Sequence, residues 1–266
     1  MRYVYDNDLH LHSQISLCSG DPGQTNERIL QYAKDNGLKT VCLADHFWDE
    51  TIDCTDQFYI LQDYKRIEAA KPLPQAEGIR FLFGCETDLD KDLNLGISKE
   101  KYDLFDFIVI PISHFHILGF IISEEDSADL QRRVNAWIRR FDAVLDMDLP
   151  FHKVGLAHLT CPALALDNYR PDYLKALNLI PEEEMKRLFT KAAKLGVGIE
   201  INAFDMNFTD EEADTVLKMY KIAKKCGCKF YCASDAHHPN ELDIAKERFE
   251  RAIDLIGLEE TDKFII

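Results

Sequence analysis

The feature that most limits what this chain can fold into is a sustained alternation. Seven short β-rich runs, over 8–12, 40–44, 79–85, 107–113, 154–159, 197–203 and 229–234, are separated by segments of helical periodicity. Most of the runs are continuously apolar, as in strands buried on both faces. Between them, Ile29, Leu30, Tyr32 and Ala33 recur at helical spacing before Gly37. Pro181 and three glutamates open a segment that Gly196 closes. Thr209 to Glu212 reads as a capping box for a helix ending at Gly227, and a last helix is expected over 240–256. Residues 161–181 are expected to form a loop over one end. Alternation of this kind implies a parallel sheet, either a closed barrel or an open doubly wound sheet. At 266 residues, with 46% hydrophobic and 29% charged, the chain can bury a large core as one domain over 1–266.

The strand ends carry the chemistry. His10 and His12 end the first run, Asp45 and His46 follow the second, and Glu86 follows the third. His114 and His116 follow the fourth, His158 ends the fifth, Asn202 lies in the sixth, and Asp235 and His237 follow the seventh. Parallel α/β folds place their sites at the C-terminal ends of the strands. Residues two apart on a strand share a face, so His10 and His12 point the same way. One such histidine is ordinarily a core residue. A whole set at strand ends is harder to assign to packing, because each buried polar group needs a partner. Imidazoles mixed with carboxylates suit zinc, manganese or iron rather than calcium.

The ordered set Asp8-Leu-His10-Leu-His12-Ser13, Ala44-Asp45-His46, Gly84-Cys-Glu86, Ser113-His114, Ala157-His158, Glu200-Ile-Asn202 and Ser234-Asp235-Ala-His237 resembles the PHP family, named for polymerase and histidinol phosphatase. Gly84-Cys-Glu86-Thr-Asp88 and the chain length are most similar to its stand-alone histidinol-phosphatase-like branch. The resemblance implies a distorted (β/α)7 TIM-like barrel holding two or three divalent transition metals. It implies that His10, His12, Glu86 and Asp235 hold one metal. Glu86 then bridges to a second, completed by His114 and His158, and His46 and His237 hold a third. Relatives often add a ligand five or six residues after the second histidine; here those positions are Leu17 and Cys18, and Asp21 is an alternative. Glu86, Asp235 and His237 are the implied catalytic residues. Asp8 and Asp45 are expected to orient ligands rather than bind metal. His116, Arg170 and Lys153 are candidate substrate contacts, and His152 and His238 are expected to be exposed or structural.

The expected activity is hydrolysis of small phosphomonoesters, histidinol phosphate among them, by a hydroxide bridging two metals. Rival readings are a nuclease or nucleotide phosphoesterase on the same barrel, a metal-dependent amidohydrolase, and a non-enzymatic metal-binding module. Thirty-one basic against 47 acidic residues give a net charge of −16, which disfavours a nucleic-acid partner. No run is long and apolar enough for a membrane helix, and no signal segment stands out. Eight cysteines without a CxxC pair fit a reduced, cytoplasmic protein. Cys226, Cys228 and Cys232 are expected to pack rather than bind metal.

Overall fold

The computed structural model describes residues 1–165 and 169–266. Its strands are β1 (Asn7–Leu11), β2 (Thr40–Leu43), β3 (Arg80–Phe83), β4 (Cys85–Glu86), β5 (Ile108–Pro111), β6 (Val154–Ala157), β7 (Gly198–Asn202) and β8 (Lys229–Ala233). Every ladder is parallel, in the orders β1-β2-β3 and β4-β5-β6-β7-β8. The helices are α1 (Asn26–Asn36), α2 (Gln57–Ile60), α3 (Tyr64–Glu68), α4 (Leu130–Asp146), α5 (Arg170–Leu179), α6 (Glu182–Leu195), α7 (Ala213–Val216), α8 (Lys218–Lys225) and α9 (Pro239–Ile256).

β3 and β4 are one expected strand interrupted at Gly84. A Cβ there would lie 2.6 Å from both Cys42 Sγ and the Phe107 carbonyl, so only glycine fits between the neighbouring strands. The backbone still bonds to both sides, Glu86 N to the Asp45 carbonyl (3.0 Å) and Cys85 N to the Phe107 carbonyl (3.1 Å). β1 and β8 meet without a regular ladder. Two backbone bonds join their C-terminal ends, Asp235 N to His10 O (2.8 Å) and His12 N to Ala236 O (3.0 Å). Lower down, the Asn7 side chain accepts from Cys232 N (3.0 Å) and the Asp8 side chain from Ser234 N (2.9 Å). Asp8 also accepts from the Tyr32 hydroxyl of α1 (2.9 Å). Asp8 therefore stitches the barrel seam, and it bears on the ligands through the backbone beside them rather than through a ligand ring.

The result is a distorted barrel of seven strand positions, with a core in two parts. The larger fills the space between strands and helices. The smaller plugs the barrel's lower interior with Phe107, Tyr231 and Phe264 among others. Gly155 and Gly198 make room for it, since a Cβ at Gly155 would lie 2.4 Å from Tyr231 Oη. Above this plug the inward positions turn polar.

Two expectations about the periphery change. Residues 161–181 are not one loop: Pro162–Leu164 forms a 3-10 turn and α5 follows. Tyr173, Ala176 and Leu177 of α5 are buried at helical spacing, but a ten-residue helix bounded by two prolines carries a weak periodic signal. The helix expected from Thr209 begins later, as α7, and is renewed as α8 after Leu217. One half of its capping box is present, with Glu212 Oε2 accepting from Thr209 N (2.9 Å). Among the described residues, no helix is long and apolar enough to cross a membrane.

Candidate active site

The inward series along the strands run from apolar or small to polar or charged: Leu82-Gly84-Glu86, Gly198-Glu200-Asn202 and Tyr231-Ala233-Asp235. A period of two carries each third member to the C-terminal mouth. There Glu86 and Asp235 become the hubs of a histidine cluster. Glu86 Oε2 lies 3.3 Å from His10 Nε2, 3.3 Å from His12 Nε2 and 3.0 Å from His46 Nδ1. Its other oxygen, Oε1, lies 3.5 Å from both His114 Nε2 and His158 Nε2. Asp235 divides in the same way: Oδ1 is 3.6 Å from His10 Nε2 and 3.2 Å from His12 Nε2, while Oδ2 is 3.4 Å from His158 Nε2.

Two of these residues sit on unusual backbone. His158 and Asp235 have φ of 54° and 53°, the left-handed region that side chains other than glycine seldom adopt. Ala157 already points inward, so His158 would point outward on a regular strand. The left-handed turn coincides with its ring reaching the cluster. Ser113 Oγ donates to the His158 carbonyl and helps hold that turn.

A second layer fixes the rings. His10 Nδ1 donates to Glu200 Oε2 (2.8 Å), which leaves Nε2 facing Glu86 and Asp235. His114 Nδ1 lies 3.0 Å from Asp88, itself held by the Tyr59 hydroxyl at 2.5 Å. Asn202 donates to Glu200 Oε1 (2.9 Å) and to Asp235 Oδ2 (3.4 Å). Asp45 accepts from Ser13 N (2.8 Å) and Ser13 Oγ (2.7 Å) and stands 3.8 Å from His12 Nδ1. His237 Nδ1 lies 2.8 Å from the Asp235 carbonyl, and its ring stacks on His12 at 4.3 Å. Sequence reasoning gave Glu200 and Asp88 no role at the site. Their signal was present: Glu200 shares an inward face with Asn202, and Asp88 shares one with Glu86.

The chemistry of the cluster itself fits metal ions. His10 Nε2, both nitrogens of His12, His46 Nδ1, His158 Nδ1 and both Glu86 oxygens are buried without a hydrogen-bond partner. Buried polar atoms left unpaired cost about 1–3 kcal/mol each, so such a concentration needs a cation to be tolerable. Burial alone would raise the Glu86 and Asp235 carboxyls, but facing histidines hold both well below the usual carboxylate range. Burial alone would lower His10, but Glu86, Glu200 and Asp235 lift it to about 10.

Among the described residues, five ligand groups can be drawn from atoms lying within 4.8 Å of one another: His10, His158 and Glu200; His158, Cys161 and Asp205; and the three that match the expected sites, His10, His12 and Glu86; Glu86, His114 and His158; and His12, Cys18, His46 and His237. The last brings Cys18 to the position left open between Cys18 and Asp21. Burial would raise the Cys18 thiol, but His12, His46 and His237 hold it at about 2, so it faces them as thiolate. Asp21 instead pairs with His238 Nδ1 (3.0 Å) and Gly23 N (2.7 Å), away from the cluster.

The remaining candidates separate. His116 lines the cavity above the cluster, its ring 5.4 Å from that of His114. Arg170 is not brought to the cavity wall: it forms a two-point ion pair with Glu212, at 2.9 and 2.5 Å. Lys153 lies at the opposite end of the barrel, donating to the Tyr102 (2.8 Å) and Phe105 (3.1 Å) carbonyls before β5. His152 is exposed, and His238 is the N-cap of α9. Cys226 and Cys228 contact the carbonyls of Lys186 and Phe189 on α6, and Cys232 is buried in the core.

A parallel barrel with clustered histidines and carboxylates at its C-terminal mouth defines a metal-dependent barrel hydrolase. The chain belongs to the PHP domain family, whose model matches residues 8–204. It is similar to two proteins each named "probable phosphatase". One, from Caldicellulosiruptor bescii, is 21% identical over 88% of this chain and 81% of that protein. The other, from Caldicellulosiruptor saccharolyticus, is 20% identical over 91% of this chain and 86% of that protein. Among solved structures, histidinol phosphate phosphatase from Lactococcus lactis, complexed with zinc, L-histidinol and phosphate, superposes with a TM-score of 0.59. It is 14% identical, and the match covers 99% of this chain and 100% of that one, which supports the fold.

Proposed function

We propose that residues 1–266 act as one PHP-type barrel domain that hydrolyses small phosphomonoesters at this cluster. The chain is a metal-dependent phosphoesterase. The observation that carries our assignment of its residues is the division of Glu86 and Asp235, each offering one oxygen to the His10–His12 side and the other to His158. The family match ends at residue 204, yet Asp235 and His237 lie in the cluster, which supports reading the whole length together.

Two or three divalent zinc, manganese or iron ions would supply Lewis acidity toward a phosphoryl group and make water acidic enough to ionise near neutral pH. His10, His12, Glu86 and Asp235 would hold one, Glu86, His114 and His158 a second, and His46, His237 and Cys18 a third. Glu200, Asp88 and Asp45 keep the ring nitrogens and backbone in position. The apolar walls above the cluster limit water around the bound ester, which strengthens its electrostatic hold. Glu86 and Asp235 act by fixing the spacing of positive charge, and His237 by presenting its second nitrogen to the site it shares with His12, Cys18 and His46.

Elemental analysis of purified protein, with turnover of a phosphomonoester panel before and after chelation, tests the reading. Two or three ions per chain and chelator-sensitive phosphatase activity are expected. Metal-free protein from supplemented buffer, or hydrolysis of amides in place of phosphoesters, would overturn it.

A further inference from the structure

The cavity over the cluster measures about 710 Å³, far more than a phosphate group fills and within the range of sites for drug-sized ligands. The rest of it has room for a sizeable leaving group. Phe58, Ile117, Phe204 and Ile244 give it an apolar wall. Along α9, Glu241, Ile244 and Arg248 recur at helical spacing and turn one face to the cavity.

The charges on that wall are unevenly engaged. Among the described residues, Arg248 is the one lysine or arginine lining the cavity. Its contact there is a hydrogen bond from Nη1 to the Ala203 carbonyl at 3.1 Å, which uses one of five N–H donors. Nearby arginines on the same side are paired: Arg170 with Glu212, Arg251 with Asp210 and Arg28 with Asp243. Burial works against the charge on Arg248, partly offset by Glu247 and Glu241, yet a guanidinium does not give up its proton. The two acids of the wall outside the metal cluster, Asp56 and Glu241, are committed to helix starts. Asp56 Oδ1 accepts from Phe58 N and Tyr59 N, and Glu241 Oε2 from His237 N and His238 N. Ala203 directly follows Asn202, which touches Asp235, so the guanidinium stands on the flank of the cluster.

We propose that Arg248 is a specificity residue selecting phosphomonoesters whose leaving group carries a second anion, a carboxylate or a further phosphate. The proposal rests on the phosphatase reading and adds the leaving group's chemistry. An apolar body would lie along Phe58, Ile117 and Ile244, and its anionic end would pair with the guanidinium. A cationic leaving group would meet an unpaired positive charge instead.

The test uses the full, metal-loaded chain and four substrates: phenyl phosphate and its 4-carboxy, 4-phosphono and 4-aminomethyl derivatives. The 4-carboxy or 4-phosphono compound should exceed the 4-aminomethyl compound in kcat/KM by about tenfold or more, the scale of one charge-assisted hydrogen bond. The better of the two anionic arms identifies the anion. Arg248→Met keeps the packed stem and should reduce the anionic-to-phenyl ratio about tenfold, mostly through KM, and Arg248→Lys should restore part of it. Calorimetry with phenylphosphonate and 4-carboxyphenylphosphonate reads the same preference without turnover. Equal kcat/KM and equal phosphonate affinity across the series in the parent protein would overturn the proposal, whatever the variants do. A uniform fall for all four substrates in Arg248→Met would also overturn it, placing Arg248 on the transferred phosphate. Absence of turnover on every substrate would instead reject the phosphatase reading, and phosphonate binding would still decide this one.

Discussion

Replacing Glu86 with glutamine is the sharpest perturbation of the metal cluster. The side chain keeps its shape but loses its charge. One oxygen becomes an NH2 that donates toward ring nitrogens 3.0–3.5 Å away, whose lone pairs the metals need. Because one oxygen faces His10, His12 and His46 and the other His114 and His158, one substitution damages both neighbouring sites. An ion present at about 1,000 times its Kd stabilises the folded state by about 4.1 kcal/mol. For 266 residues the unfolding entropy is about 0.56 kcal/mol per degree, so saturating one site should raise Tm by about 7 °C. Thermal unfolding with and without chelator should show at least that shift in the parent protein and much less in Glu86→Gln. Turnover should fall at least about hundredfold, or ~3 kcal/mol of barrier, because the spacing of positive charge matters most in the transition state. A variant that keeps both the metal-induced shift and near-parent turnover would refute the reasoning, since Glu86 would then hold nothing.

Three further outcomes are expected. Cys18→Ser should lose one metal per chain while the other ions remain, and cobalt-loaded parent protein should show a thiolate-to-metal absorption band that the variant lacks; unchanged stoichiometry and spectrum would remove Cys18 from the site. His158→Gly and His158→Ala should both weaken metal binding, but glycine relieves the backbone at φ 54° and should leave the metal-free fold about 1 kcal/mol more stable than alanine does, as read by urea unfolding; equal stabilities would count against strain there. Asp49 is pushed up by burial, but Ser98, Thr51 and Lys101 outweigh this and hold it at about 2. Its folded value lies below the unfolded one, so its stabilisation, about 2 kcal/mol, is present above pH 4 and is lost as pH falls from about 4 to 2. Asp49→Asn should flatten that part of the stability profile, and an unchanged acid limb would show that other carboxylates set it.

Much of this was legible because strand periodicity is local. Glu86 and Asp235 stand at the ends of inward series of period two, and His10 and His12 share a face for the same reason. What stayed hidden depends on distant partners or on backbone angle. Arg170 and Lys153 looked available because sequence does not show that Glu212 or two carbonyls occupy them. That Asp8 works on backbone amides was equally hidden, because the irregular meeting of β1 and β8 is what leaves those amides for it to satisfy. The ring of His158 reaches the cluster through a left-handed residue, which a regular strand register would not place there. The choice between Cys18 and Asp21 turned on how the segment after β1 folds back, and no spacing rule encodes that.

The barrel seam has a consequence for biosynthesis. His10 and His12 leave the ribosome more than two hundred residues before Asp235 and His237. Until β8 docks against β1, Asn7 and Asp8 lack their amide partners, and the early histidines lack the second carboxylate. A nascent or truncated chain therefore offers incoming metal only a partial and weaker set of ligands. Metal loading then reports that the last strand has been made and has closed the ring, which couples acquisition of the ions to completion of the fold.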